Sequence, residues 1–229
     1  MRLLAIDTAT EHCSAALWND GVLSETTAPL VRGNGELILD LVGKLLHTTR
    51  LRPDDLDALA FGRGPGAFTG VRLATSTVQG LAFACSRPVI AVSNLAALAQ
   101  QLFELPEAPA HALICQDARM HEAYWAAFER RAGLAVAATV EGVAAPADLI
   151  GAAGAWFNRD CWGAGSAFGA YPELAAAGRT LGRILPALAP RAREIARLAV
   201  AAGLAAAVPA ELALPVYLRN QVAQPPSLN

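Results

Sequence analysis

At 229 residues, 54% apolar and only 17% charged, with a net charge of −2 and a pI near 6.1, the chain is long enough to bury one large or two small cores without disulfides or a structural metal. That charge balance excludes a protein that grips a phosphate backbone by itself, because such binding rests on clustered Lys and Arg. The low charged fraction fits either an Ala-rich helical protein or one whose apolar face is covered by another subunit.

Leu3 to Ile6 form a continuous apolar run ending in Asp7-Thr8-Ala9-Thr10. Cys13 to Trp18 resumes as strand, Asn19-Asp20-Gly21 turns, and Val22 to Thr27 returns, a three-stranded meander. Helical spacing runs from Glu36 to Leu46, with Asn34 as N-cap, and Arg52-Pro53-Asp54-Asp55 breaks the chain before a strand at Ala58 to Phe61. A glycine loop leads into a second helix, Thr69 to Cys85. Pro88 to Val92 is the next strand, followed by a helix capped by Ser93 or Asn94 that ends near Pro106.

The pattern partly restarts at Ala112 to Cys115, with a hairpin-like pair at Glu122 to Glu129 and Leu134 to Val140 and a short helix near Ala147 to Ala152. Arg159 to Gly163 reads as strand. Pro190 opens a long helix near 190–207, and the proline-bearing tail from Pro209 reads as flexible. The expectation is a two-lobe α/β chain, residues 1–105 and 106–229, with a βββαβα first lobe and a degenerate second one. Cys13, Cys85, Cys115 and Cys161 lie far apart without CxxC spacing, which points to free thiols in a reducing cytoplasm. No signal peptide or membrane span is expected.

The loop Gly62-Arg63-Gly64-Pro65-Gly66-Ala67-Phe68-Thr69-Gly70 joins strand to helix, a place suited to anions. It lacks the Lys-Ser/Thr of a Walker loop, since Val71-Arg72-Leu73 follows. Gly62, Gly64 and Ala67 match dinucleotide spacing, but no acid follows Val89 to Val92 to take a ribose hydroxyl. Asp7, Thr8 and Thr10 are a second, weaker candidate for a nucleotide's metal and phosphates, with a polar turn as the alternative reading. His12, His47, His111 and His121 show neither an HxxxH pair nor a zincin motif, and there is no G-x-S-x-G elbow.

The first two helices carry more apolar or small surface than one buried face needs. At about 100° per residue, the apolar positions from Leu37 to Leu46 cover roughly 200° of the circumference. On the second helix, Ser76, Gly80 and Ala84 recur every fourth residue beside Leu73 and Phe83, spacing that permits close helix approach.

Gly64-Pro65-Gly66-Ala67-Phe68-Thr69-Gly70-Val71-Arg72 resembles the G-P-G-S-F-T-G-L-R signature of the bacterial TsaB (YeaZ) family. Ala5-Ile6-Asp7-Thr8, Asp117-Ala118-Arg119-Met120-His121-Glu122-Ala123-Tyr124 (similar to D-A-R-x-x-E-V-Y) and Pro215-Val216-Tyr217-Leu218-Arg219 support it, in the expected order. The resemblance implies a duplicated actin-like fold of the sugar kinase and heat-shock chaperone type. It also implies a non-catalytic scaffold that pairs with the paralogue TsaD and, through the pair, with the ATPase TsaE. The complex moves threonylcarbamoyl onto the adenosine beside the anticodon.

TsaD's metal-binding histidine pair has no counterpart in Asn94-Leu95-Ala96-Ala97-Leu98-Ala99-Gln100. Further implications are no cofactor on the isolated chain, ATP or ADP only in the complex, indirect or shared tRNA contact, and a homodimer when the partner is absent. The pairing surface falls on Leu37, Leu41 and Leu45 of the first helix and on Leu73, Ser76, Thr77, Gly80, Phe83 and Ala84 of the second. Gly64, Pro65, Gly66 and Gly70 serve as a structural loop. Arg32-Gly33-Asn34-Gly35-Glu36 departs from the family pattern, which often has His and a hydroxyl residue there. An independent metalloprotease and a stand-alone kinase are the alternatives, each short of its catalytic residues.

Overall fold

The computed structural model describes residues 1–29 and 35–219. Two sheets share one topology. In the first, β1 (Arg2–Asp7), β2 (His12–Asn19) and β3 (Val22–Pro29) form the meander, and β4 (Ala58–Gly62) and β5 (Val89–Val92) extend it in parallel, in the order β3-β2-β1-β4-β5. Between them lie α1 (Leu37–Thr49), α2 (Phe68–Cys85) and, after β5, α3 (Asn94–Phe103).

The second sheet repeats this as β6 (His111–Asp117), β7 (Ala123–Arg131), β8 (Leu134–Ala137), β10 (Cys161–Ala164) and β11 (Arg183–Leu185), ordered β11-β10-β6-β7-β8, with β9 (Gly142–Ala144) added beside β7. Its helices are mostly short: α4 (Pro146–Ala152), α5 (Ala167–Ala170), α6 (Pro172–Ala177) and finally α7 (Ala192–Ala202). This is the duplicated actin-like arrangement, with a reduced second half.

Alternation along β1 explains the layers. Leu4 and Ile6 face α1 and α2, joined by Leu17, Leu59 and Phe61. Leu3 and Ala5 face the other way with Ala16, Ala58 and Ala60, against Ala192, Ala196 and Ala199 of α7. Alanine on both sides of that contact lets helix and sheet approach closely, which accounts for part of the Ala-rich composition. In the second sheet, Leu113 and Cys115 pack on α4 to α6, while Ala112, Ile114 and Phe128 pack on Leu95, Leu98 and Leu102 of α3.

The last helix of each half therefore covers the other half's sheet, and α3 and α7 pack together between the two. Arg197 of α7 pairs with Glu104 at 3.2 Å, and Ser14 on β2 accepts the Ala192 N–H at 2.9 Å, closing the N-terminus of α7.

Several expectations change. Residues 192–213 belong to the first sheet's packing, so 106–229 is not a self-contained lobe. The last helix stops at Ala202, because Gly203 adopts φ +71° and a 3-10 turn follows, rather than continuing to Ala207. The part of the tail that is described packs on the chain: Val208 bridges Val89, Ala213 is buried and Arg219 pairs with Glu122, while residues 220–229 lie outside the described residues. Asn34, expected as a cap, lies with Arg32 and Gly33 outside the described residues, and Glu36 occupies the N-cap position. Ser93 does cap α3, accepting from the Ala96 N–H at 3.1 Å. Among the described residues no helix is long and apolar enough to cross a membrane.

Candidate functional site: a sealed glycine loop, a strap and an open helix face

The glycine loop between β4 and α2 is occupied by the chain itself. Gly64 takes φ +98°, and its N–H donates to Asn94 Oδ1 at 2.7 Å while its carbonyl accepts from the Asn94 N–H at 3.0 Å. Asn94 Nδ2 in turn donates to Asp7 Oδ1 at 2.6 Å. The β1–β2 turn closes over the loop: Ala67 N–H donates to the Ala9 carbonyl at 2.8 Å, and the Thr8 hydroxyl donates to the Gly70 carbonyl at 2.6 Å. A Cβ at Gly62 would collide with Asp7 and Asn94, one at Gly66 would lie 2.8 Å from Ala9, and one at Gly70 would overlap the Thr8 carbonyl.

Asp7 and Thr8 are thus buried and directed at the loop, while Thr10 is half-buried and accepts from the His12 N–H at 3.4 Å. Asp7 Oδ2 has no partner among the described residues. Burial pushes the Asp7 carboxyl up to about 7, opposed by its hydrogen bonds from Asn94 and the Ala9 backbone. Burial also raises the Cys13 thiol to about 11, with the Asp7 charge adding to it, and all four cysteines are free and buried.

An acid whose folded pKa is raised holds its proton where the unfolded chain has lost it, so its contribution is favourable at low pH and declines as pH climbs from about 4 to about 7. Asp7→Asn keeps an acceptor for Asn94 and removes the titration. In urea melts, wild-type stability relative to Asp7→Asn should fall across that window by on the order of 4 kcal/mol. Parallel pH profiles would refute the assignment.

A strap formed by residues 213–219 crosses this loop. Gln79 donates to the Ala213 carbonyl at 3.1 Å, and Val216 N–H donates to the Arg63 carbonyl at 2.8 Å. Tyr217 sits against Phe68, ring centroids 5.7 Å apart, and accepts from Arg72 Nε at 2.9 Å. Arg219 then reaches the second half, pairing with Glu122 and donating to the Ala118 carbonyl at 3.0 Å. The turn it grips places Arg119, Met120 and His121 at φ +60°, +54° and +58°. Each non-glycine residue there costs on the order of 1 kcal/mol. Asp117 offsets part of that cost by accepting the Arg119 N–H at 2.7 Å. Arg63 also pairs with Glu141 at 3.1 Å.

Four segments scattered through the sequence therefore meet: Asp7-Thr8, the glycine loop with Arg72, Asp117 to Glu122, and Tyr217 to Arg219. Sequence reasoning recognised each segment but not their contacts, which join residues as many as 145 positions apart.

The outer faces of α1 and α2 form the third feature. Leu39, Ser76, Thr77, Gly80 and Leu81 line a shallow groove of about 330 Å³. Phe83 is 83% exposed and Ala84 is exposed beside it, while Leu37 and Leu73 are half-buried. Leu41 and Leu45, expected on this face, are instead core residues packed on the first sheet with Ile38, Val42 and Leu46. Those five positions form one ordinary buried stripe, so α1 has a single apolar face plus Leu39, which is half-exposed. His12, His47, His111 and His121 sit on four separate segments, and among the described residues no three His, Cys, Asp or Glu side chains converge as a metal site would need.

Residues 22–226 match the family model described as TsaD, tRNA N6-adenosine threonylcarbamoyltransferase. The tRNA threonylcarbamoyladenosine biosynthesis protein TsaB of Escherichia coli K12 is 39% identical over 97% of this chain and 96% of its own length. That of Haemophilus influenzae is 45% identical over 55% of this chain and 52% of its own. Among solved structures, YeaZ from Pseudomonas aeruginosa is 36% identical, with a TM-score of 0.81 over 94% of this chain and 100% of its own. A Pseudomonas aeruginosa protein described as similar to peptidase YEAZ is 38% identical, with a TM-score of 0.83 over 95% and 99%. Near-complete coverage in sequence and in fold leads to one assignment: the chain belongs to the TsaB family.

Proposed function

We propose that this chain is the non-catalytic scaffold subunit of the machinery that makes threonylcarbamoyladenosine in tRNA, a cytoplasmic protein that docks TsaD on the α1–α2 face. The observation that carries this reading is the groove itself: small residues at Ser76 and Gly80, with Leu39 and Phe83 exposed at its sides, suit the close approach of helices from a second protein. TsaE joins through the TsaB–TsaD pair, tRNA contact is indirect or shared, and without TsaD the chain pairs with itself. Asp7 Oδ1 accepts from Asn94, which holds Gly64, and the Thr8 hydroxyl donates to the Gly70 carbonyl, contacts that support a structural role for both residues and a reading in which ATP or ADP belongs to the complex rather than to this chain.

The test is reconstitution with TsaD, TsaE, the adenylate-forming enzyme and tRNA. Leaving out this chain should reduce modification to background, and adding it alone to adenylate and tRNA should produce none. Undiminished modification without the chain would overturn the scaffold role, and transfer by the chain alone would overturn its non-catalytic character.

A further inference from the structure

Helix α2 runs eighteen residues with one charged side chain, Arg72. Its guanidinium carbon lies 3.8 Å from the centroid of the Phe68 ring and 5.7 Å from that of Tyr217, and its Nε donates to the Tyr217 hydroxyl. The group is nonetheless exposed, as are Phe68 at 49% and Tyr217 at 46%. Among the described residues Arg72 makes no ion pair.

An exposed arginine ordinarily sweeps through many rotamers, about 2 kcal/mol of side-chain entropy. Here two rings and a hydroxyl restrain it, one ring delivered by the strap, yet no carboxylate among the described residues takes its charge. Such a restrained guanidinium keeps its two Nη groups for a planar anion, with much of the ordering already done. Its position is also specific: Arg72, Ser76 and Gly80 follow one another at i, i+4 and i+8, so the cation stands on the same stripe of α2, one turn before the groove residue Ser76.

We propose that Arg72 is the polar anchor of the docking face, a preorganised guanidinium that receives a carboxylate side chain of the protein seated on α1 and α2. The proposal rests on the docking reading above and adds the chemistry of the partner's contact. An apolar groove bordered by one fixed arginine has the composition of an interface hot spot, and its complement is an acidic side chain on the partner. A phosphate backbone fits less well, because it calls for several unpaired cations, whereas Arg63 and Arg219 along the strap are already paired with Glu141 and Glu122.

Titration of the full-length chain with TsaD at low and high salt tests this. Arg72→Gln should weaken binding about tenfold at low salt and flatten the salt response. Arg72→Lys, which keeps the charge but not the planar fork, should lose about threefold. If Arg72→Gln binds within about twofold of wild type with an unchanged salt response while Gly80→Arg fails to bind, the anchor is wrong and the docking reading stands. If neither change affects binding, the docking reading itself fails.

Loss of the chain's self-association in Arg72→Gln with TsaD affinity unchanged would overturn the assignment in favour of a second copy. Binding of an isolated anticodon stem-loop that Arg72→Gln abolishes would overturn it in favour of a phosphate. Should Arg72→Gln melt early, Tyr217→Phe removes only the restraining hydroxyl. An affinity loss of about threefold then supports the proposal, and unchanged affinity overturns it.

Discussion

Gly70→Ala should destabilise the protein by more than about 3 kcal/mol, the range in which overpacked, unyielding sites fall. The added methyl would overlap the Thr8 carbonyl, which is backbone at the end of β1 and cannot swing aside. Relief requires moving either the β1–β2 turn or the first turn of α2, and each movement breaks the bond from the Thr8 hydroxyl to the Gly70 carbonyl. Urea denaturation followed by circular dichroism gives the number. Ten residues along the same helix, Gly80→Ala meets nothing within 4 Å and should stabilise the helix by up to about 1 kcal/mol. Equal behaviour of the two variants would show that the loop is looser than its geometry indicates.

That openness makes Gly80→Arg the decisive interface variant. The chain has room for the side chain, so folding and melting temperature should stay near wild type, while the partner's helix would meet a long charged group in a groove lined by Ser76 and Thr77. Affinity for TsaD should fall at least about a hundredfold, the scale of a central hot-spot loss. Co-elution on a sizing column measures it, and undiminished co-elution of a folded Gly80→Arg protein would remove TsaD from this face.

Much of the fold was legible because its signals are local. The continuous apolar runs of β1 and β2, the Asn19-Asp20-Gly21 turn and the Ser93 cap all act over a few residues. The glycine loop was also visible, although chemistry alone left phosphate binding open; closure by Thr8, Ala9 and Asn94 is tertiary. The first helix was misread by breadth: Leu37 and Leu39 widened its apolar arc, so Leu41 and Leu45 were placed outward when the i, i+3, i+4, i+7 stripe through Ile38 places them in the core. Leu39 was the informative exception.

Proline content made residues 209–219 read as flexible. Their order comes from Arg63, Arg72 and Glu122, partners no local pattern contains. Nor does chain order reveal which sheet a late amphipathic helix will cover.

The exchange of last helices between the halves sets a constraint on synthesis. β5 completes the first sheet at Val92, but the alanine face of that sheet stays uncovered until α7 emerges about a hundred residues downstream. A ribosome that pauses or a protease that cuts between them leaves Leu3, Ala5 and Ile90 facing water, with a native-like half that cannot finish alone.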